Sequence, residues 1–160
     1  MPVHNKVEIE RQAQELLDTK LGADFEIPVD LVELLERMGG ELEVRFEGSK
    51  DPESLLVEPD GSFTVFVPSN TSRARDRFTI AHEIGHYVLN WERDGHIATF
   101  QRYGRTPAEF EANAFAGALL MPHAHFTQAW EAHLGNLRLI ARQFDVSQSA
   151  AGVRQQVLGL

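Results

Sequence analysis

Residues 77–90 read RFTIAHEIGHYVLN, and the five at the centre, His82, Glu83, Ile84, Gly85 and His86, set the reading of the whole chain. Residues four apart on a helix project from one face, a turn from each other. Two imidazoles held that way can close on one metal ion, since zinc accepts neutral His nitrogen at about 2.0–2.1 Å. Glu83 flanks that face, within reach of a water on the ion without having to be a ligand. This HExxH pattern is the signature of zinc-dependent peptide hydrolysis, with the Glu as general base. The competing reading is two ordinary histidines on a buried helix.

The surrounding residues favour the first reading. Ser69, Asn70, Thr71 and Ser72 offer N-cap candidates just upstream. Phe78, Ala81, Gly85 and Val88 make one apolar stripe, and Ile80, Ile84 and Tyr87 a second. A helix apolar almost all round is buried, and His, Glu and His inside it are costly unless something pairs with them. Gly85 costs on the order of 1 kcal/mol against Ala in a helix interior, so another backbone is expected to pass close to it.

The second informative stretch is 106–122, TPAEFEANAFAGALLMP. Thr106 as N-cap, Pro107 at the first helical position and Glu109 at the third form a capping box, and Pro122 ends the helix. Glu111 has no such local task. It shares a face with Phe115 and Ala118, so it points inward, where a carboxylate wants a cation. A catalytic zinc needs a third protein ligand, and two His with one Glu is a standard set. The expectation is that Glu109 caps the helix and Glu111 joins His82 and His86 on the metal. Both acids serving only the helix N-terminus is the plainer alternative.

The rest of the chain supplies a frame. At 160 residues and 42% hydrophobic content, one domain with a substantial core is expected over 1–160. Its parts are N-terminal helices and sheet over 1–68, active-site helices over 72–122 and C-terminal helices over 123–160. Spacing predicts helices over 7–21 (Ile9, Ala13, Leu16, Leu17 inward) and 29–38 (Leu31, Leu34, Leu35, Met38 inward), stopped by Gly39 and Gly40. Leu42, Val44 and Phe46 alternate with charged residues as in a half-buried strand. Residues 49–53 are turn-like. Strands 55–58 and 63–67 flank Pro59-Asp60-Gly61, a hairpin signal. The second of these runs almost directly into the HExxH helix, where it is either an ordinary edge strand or a place for an extended peptide to pair. The fold class is therefore α+β, a small antiparallel or mixed sheet packed on helices around the HExxH helix, with a helical C-terminal part.

Residues 91–105 are polar with no clear period, a loop of the length often used as a lid. His96 and Tyr103 lie there without an assigned role, as do His123, His125 and His133 further on. The tail, 136–144 then 148–158 with Ser147 as cap, has the rhythm of a helix-turn-helix, with Arg138, Arg142 and Arg154 available for phosphates.

Charge and composition narrow the function classes. The formal net charge is −9, and residues 1–60 hold sixteen Asp/Glu against six Lys/Arg while 61–160 hold eight against nine. Such a chain is a poor candidate for phosphate backbones, and the tail helices read better as packing or as a protein-docking surface. No apolar run is long enough for a transmembrane helix, the N-terminus lacks the apolar core of a signal peptide, and there is no cysteine. A cytoplasmic protein without membrane partners is the simplest expectation; oligomeric state is open.

FTIAHEIGHYVLN followed by EANAFAGALLMP resembles the ImmA/IrrE family of small bacterial and phage metallopeptidases, as do IPVDLVELLERMGG before them and ARQFDVSQSAAGVRQQVLGL after. The resemblance implies a gluzincin-like site with His82, His86 and Glu111 as ligands and Glu83 as catalytic base. It implies one divalent ion, zinc by default with manganese also suited, and a helix-turn-helix repressor as substrate, cut to release phage, mobile-element or stress-response genes. Two alternatives stand beside it. One is a metal-binding regulator that grips a repressor without cutting it, and the other a DNA-binding module using the C-terminal helices.

Overall fold

The structure is a computed structural model, which describes residues 4–46, 54–91, 99–101 and 106–160. Helix α1 (Lys6–Lys20) starts where the Asn5 side chain accepts from the Glu8 N–H, and it buries Ile9, Ala13 and Leu17 at four-residue spacing. Helix α2 (Leu31–Arg37) is capped in the same way by Asp30, which accepts from Glu33 N, so it begins two residues later than expected. It ends before Gly39, whose φ of +81° is a left-handed conformation that glycine adopts without strain.

The chain then enters a four-stranded mixed sheet of order β1-β3-β2-β4, made of β1 (Gly40–Arg45), β2 (Ser54–Val57), β3 (Phe63–Pro68) and β4 (Thr99–Gln101). Strand β3 runs parallel to β1 and antiparallel to β2, and β2 is antiparallel to β4. The hairpin between β2 and β3 turns at Asp60-Gly61, with Glu58 N donating to Ser62 O at 2.8 Å and the Asp60 carboxylate accepting from Ser62 N.

Two expectations about the sheet change here. Strand β3 has a neighbour on each side, so its backbone is already paired and does not offer an edge to an extended peptide. The stretch expected to be wholly irregular contributes Thr99–Gln101 as an edge strand, too short to show a period. The remainder of that stretch, with His96 and Tyr103, and the expected turn at 49–53 lie outside the described residues. Strand β1 forms where expected but not half-buried: Glu41, Leu42, Glu43 and Val44 are all exposed, Leu42 at 38% and Val44 at 50%, since this edge strand is paired on one side only among the described residues. Arg45 lies over the Phe66 ring, 3.8 Å from its centroid.

Helix α3 (Arg73–His86) is capped by Ser72 and carries the HExxH residues; the chain continues into a π-helical turn, Tyr87–Trp91. Tyr87 stacks on Phe63 at 4.0 Å between centroids and donates to Gly61 O, fastening the end of α3 to the hairpin. Helix α4 (Pro107–Leu120) packs against α3 at Gly85. A β-carbon there would stand 3.1 Å from Phe115 Cβ and 3.2 Å from both Ala112 Cα and its carbonyl oxygen, which is the close backbone approach that Gly85 implied.

Helices α5 (His123–Ala132), α6 (Leu137–Phe144) and α7 (Gln148–Leu158) complete the fold. The last two are joined through Asp145, at φ +56°, and capped by Ser147, so the helix-turn-helix rhythm is real. Arg154, one of three arginines considered for phosphate contact, is only 3% exposed. It donates to Met121 O at 2.9 Å and pairs with Glu10, tying α7 to α1 and α4. Arg77 reaches from α3 to Asp145 O and Val29 O, both at 3.0 Å. Bonds of this kind make the tail part of the core. No described helix is long and apolar enough to cross a membrane.

Replacing Gly85 by Val drives two methyls into the backbone of α4 and is expected to destabilise the protein by about 1–3 kcal/mol, read as a lowered urea midpoint. An unchanged midpoint would mean that α3 and α4 separate freely at this point.

Candidate metal centre

His82, Glu83 and His86 are all fully buried on α3. The third member of the group comes from α4, and it is Glu109. One carboxylate oxygen lies 2.9 Å from His82 Nε2 and the other 2.9 Å from His86 Nε2, while the two Nε2 atoms are 3.1 Å apart. Among the described residues these three form the group of His and acidic side chains able to hold an ion. Four ligands at zinc's bond lengths stand roughly 3.3 Å apart at tetrahedral corners, so the donor atoms already converge to nearly the required spacing.

Glu111 occupies a different place. It is buried, as its face predicted, but its carboxylate accepts from the backbone N–H of His4, whose imidazole in turn contacts Leu89 O at 3.1 Å. The expected trio of His82, His86 and Glu111 is therefore not the one the fold assembles. The capping box explains the difference. Glu109 N donates to Thr106 Oγ1 at 3.3 Å, and this half of the box uses only its backbone. The side chain stays available, and it turns towards α3. A signal for this was present in the sequence. Glu109, Ala112 and Ala116 share a face, and small residues mark the side on which helices approach most closely.

Two asparagines complete the surroundings. Asn113, one turn beyond Glu109, places Oδ1 2.8 Å from His82 Nδ1. A carbonyl oxygen there accepts the Nδ1 proton; in the metal-free protein Nε2 donates to Glu109, and with an ion in place of that proton the same Nδ1–H tautomer would turn the Nε2 lone pair to the metal. The Asn90 carboxamide lies 3.2 Å from His86 Nδ1, delivered by the π-helical turn. Neither asparagine was anticipated, since the sequence gives no reason to prefer one Asn over another until the helices are docked. His125 packs against Phe25 at 4.9 Å between centroids, and His133 contacts Gln143.

The electrostatics fit a site built around charge. Burial raises the Glu109 carboxyl pKa, but the hydrogen bonds from His82 and His86 outweigh it and hold it at about 2 instead of the usual 4.5. Burial lowers His86 below its usual 6.5, with Glu109 partly opposing. A buried carboxylate with two imidazole nitrogens is a set of donors that a divalent cation satisfies better than protons do.

The family model of Peptidase M78, described as the IrrE N-terminal-like domain, matches residues 41–155. The chain belongs to this family of peptidases, the ImmA/IrrE metallopeptidases. A solved structure, described as a Mycobacterium tuberculosis transcriptional regulator, is similar with a TM-score of 0.61 and 20% identity. The match covers 91% of this chain and 45% of that one, so this chain spans less than half of the neighbour's length. At that identity the likeness concerns the fold. No curated protein matches the sequence.

Both pKa shifts act in the same direction on stability in the metal-free protein. The unfolded chain takes up a proton at His86 more readily than the folded one, so stability falls as pH drops through about 6.5. Glu109 contributes stability that is present above 4.5 and is lost between there and about 2. Thermal unfolding of chelator-treated protein is expected to show both losses, and Glu109→Gln to remove the more acidic one. A melting temperature flat from pH 7 to 3 would contradict this.

Proposed function

We propose that the chain is a metal-dependent endopeptidase whose ion is held by His82, His86 and Glu109, with Glu83 as the general base. The observation that carries the proposal is the convergence of the two Nε2 atoms and the Glu109 carboxylate within 3.1 Å of one another. Zinc is the default for this donor set and manganese also suits it. Such an ion supplies a water made acidic enough to ionise near neutral pH and a polarised scissile carbonyl.

The chain's own residues do the rest. Asn113 orients His82 through its Nδ1 proton, and Asn90 is placed to do the same for His86 once its carboxamide presents Oδ1. Glu83, enclosed beside the two histidines, takes the proton from the attacking water and passes it to the leaving amine nitrogen, so that the peptide C–N bond breaks into an acid and an amine. The substrate we infer is a helix-turn-helix repressor. Family membership and the overall resemblance support that reading, and the buried Arg154 argues against direct DNA binding by the tail. A cytoplasmic setting accords with it.

Two measurements test this. Elemental analysis of protein purified without added metal should find about one ion per chain in the wild type and in Glu111→Ala, and almost none in Glu109→Ala. Glu111→Ala should cost only stability, about 1–3 kcal/mol, from the lost partner of His4 N. Metal lost in Glu111→Ala but kept in Glu109→Ala would return the third position to Glu111. Glu83→Gln should then retain the ion and lose at least about a hundredfold in cleavage. Undiminished repressor inactivation by this variant would point instead to a protein that grips its partner without cutting it.

A further inference from the structure

The β1 edge of the sheet carries a row of apolar side chains that no described residue covers. The register sets Leu42 level with Val65 and Val44 level with Val67, so these four share the face of the sheet that packs on the core. Val65 and Val67 are buried there, whereas Leu42 and Val44 are exposed and Phe46, next in the row, is 79% exposed. The backbone of this edge is open as well. In an extended strand the N–H and C=O of one residue point to one side and those of the next to the other. Arg45 O accepts from Ser69 N, just past the end of β3. Leu42 and Val44 therefore direct their backbone groups away from β3, where no strand pairs with them among the described residues.

Unpaired backbone groups beside exposed apolar side chains form a template for another strand, and the charges on β1 say which strand fits. Glu41, Glu43 and Arg45 alternate with the apolar row, so a partner strand must present both signs of charge in the matching places. Strand β1 does so for a second copy of itself, and in one register only. Antiparallel pairing about a twofold axis at Leu42 sets Glu41 opposite Glu43 twice, and an axis at Glu43 sets that carboxylate opposite its own copy. Like charges directly across a strand pair are destabilising. An axis at Val44 removes both conflicts. Glu43 of each copy then faces Arg45 of the other, Leu42 faces Phe46, and Val44 faces Val44. Every one of these pairs is apolar or oppositely charged, the kinds that stabilise a sheet.

We propose that β1 is the interface between two copies of this chain, paired antiparallel about a twofold axis at Val44. The residue at the axis exchanges both backbone hydrogen bonds with its counterpart, which its outward-facing N–H and C=O permit. The two four-stranded sheets join edge to edge into one, and the buried layer of Val65 and Val67 continues across the axis through Val44. Such an interface is isologous, the same patch meeting itself. It spans only residues 42–46 on each side, at the small end of specific interfaces, so the association is of roughly micromolar strength. The pairing does not rest on the peptidase reading above.

Sedimentation equilibrium of the whole chain over about 1–500 µM should show a weight-average mass that rises from 18.0 kDa towards twice that value. Val44→Lys sets two ammonium groups against each other at the axis, and Glu43→Arg opposes Arg45. Each should weaken the association at least about tenfold, while Glu41→Arg should not. With the axis at Glu43 the sensitive residue would instead be Glu41, which there faces Arg45. The chain has no cysteine, so single cysteines at these exposed positions report the register directly. Oxidised glutathione should link Val44→Cys into a covalent dimer, because Cα atoms paired at the axis stand about 5.5 Å apart, within disulfide reach. Glu41→Cys should remain unlinked, its two Cα atoms being roughly 20 Å apart. A constant mass up to the highest concentration would overturn the proposal and leave this edge to a strand of another protein. A dimer indifferent to Val44→Lys, weakening by Glu41→Arg and not by Glu43→Arg, or linkage through residue 41 in preference to residue 44 would overturn it equally.

Discussion

The approach of α3 and α4 at Gly85 governs what the rest of the molecule can do. Here a glycine faces the backbone of Ala112, and an added β-carbon would stand 3.2 Å from both its Cα and its carbonyl oxygen, tighter than an ordinary side-chain contact. Both imidazoles sit within one turn of that contact on α3, and Glu109 sits one turn from it on α4. The Glu109 carboxylate meets both rings beside this contact, at 2.9 Å from each Nε2. A side chain at residue 85 would move the third group away from the first two, although it touches none of them.

The same closeness explains why the buried charges are tolerated. A carboxylate removed from water costs several kcal/mol unless it is paired. Glu109 is met by two imidazoles, and Glu111 by a backbone N–H of the N-terminal segment. Two acids two residues apart on one helix thus face roughly opposite sides and are neutralised by different means. The α3 pattern could be read from the sequence because i and i+4 on one helix are fixed by local geometry alone. Which acid of α4 meets them could not be read that way, since it depends on how one helix is rotated against another. The capping-box reading took up Glu109 as a whole residue, when only its backbone was engaged.

Elsewhere the sequence was legible in proportion to the length of each pattern. Helices α1, α2, α3 and α4, the hairpin at Asp60-Gly61 and the paired helices of the tail all formed within a few residues of their expected bounds. The three residues of β4 carried too little periodicity to be seen, and the exposure of both faces of β1 over 41–44 could not be foreseen from an alternation that implies one covered face. The arginines of the tail show the same limit. Arg154 and Arg138 have similar sequence surroundings, yet one is enclosed against Met121 O and Glu10 while the other is exposed.

The π-helical turn after His86 carries a consequence for descent within the family. A π turn places one extra residue in the helical circuit and so shifts every later side chain round the axis. Here it sets Asn90 against His86 and Tyr87 on the hairpin, and the chain leaves α3 in a direction that an uninterrupted α-helix would not take. The helices that hold the site dock through their own surfaces, and among the described residues the stretch joining them is fixed at this exit, at the pairing of β4 with β2 and at the cap at Thr106. By chain entropy alone, a change of a few residues in the length of a connection between fixed points costs little. Lineages can therefore remodel that connection by insertion and deletion, while a single residue added or removed inside the π turn would disturb the site directly.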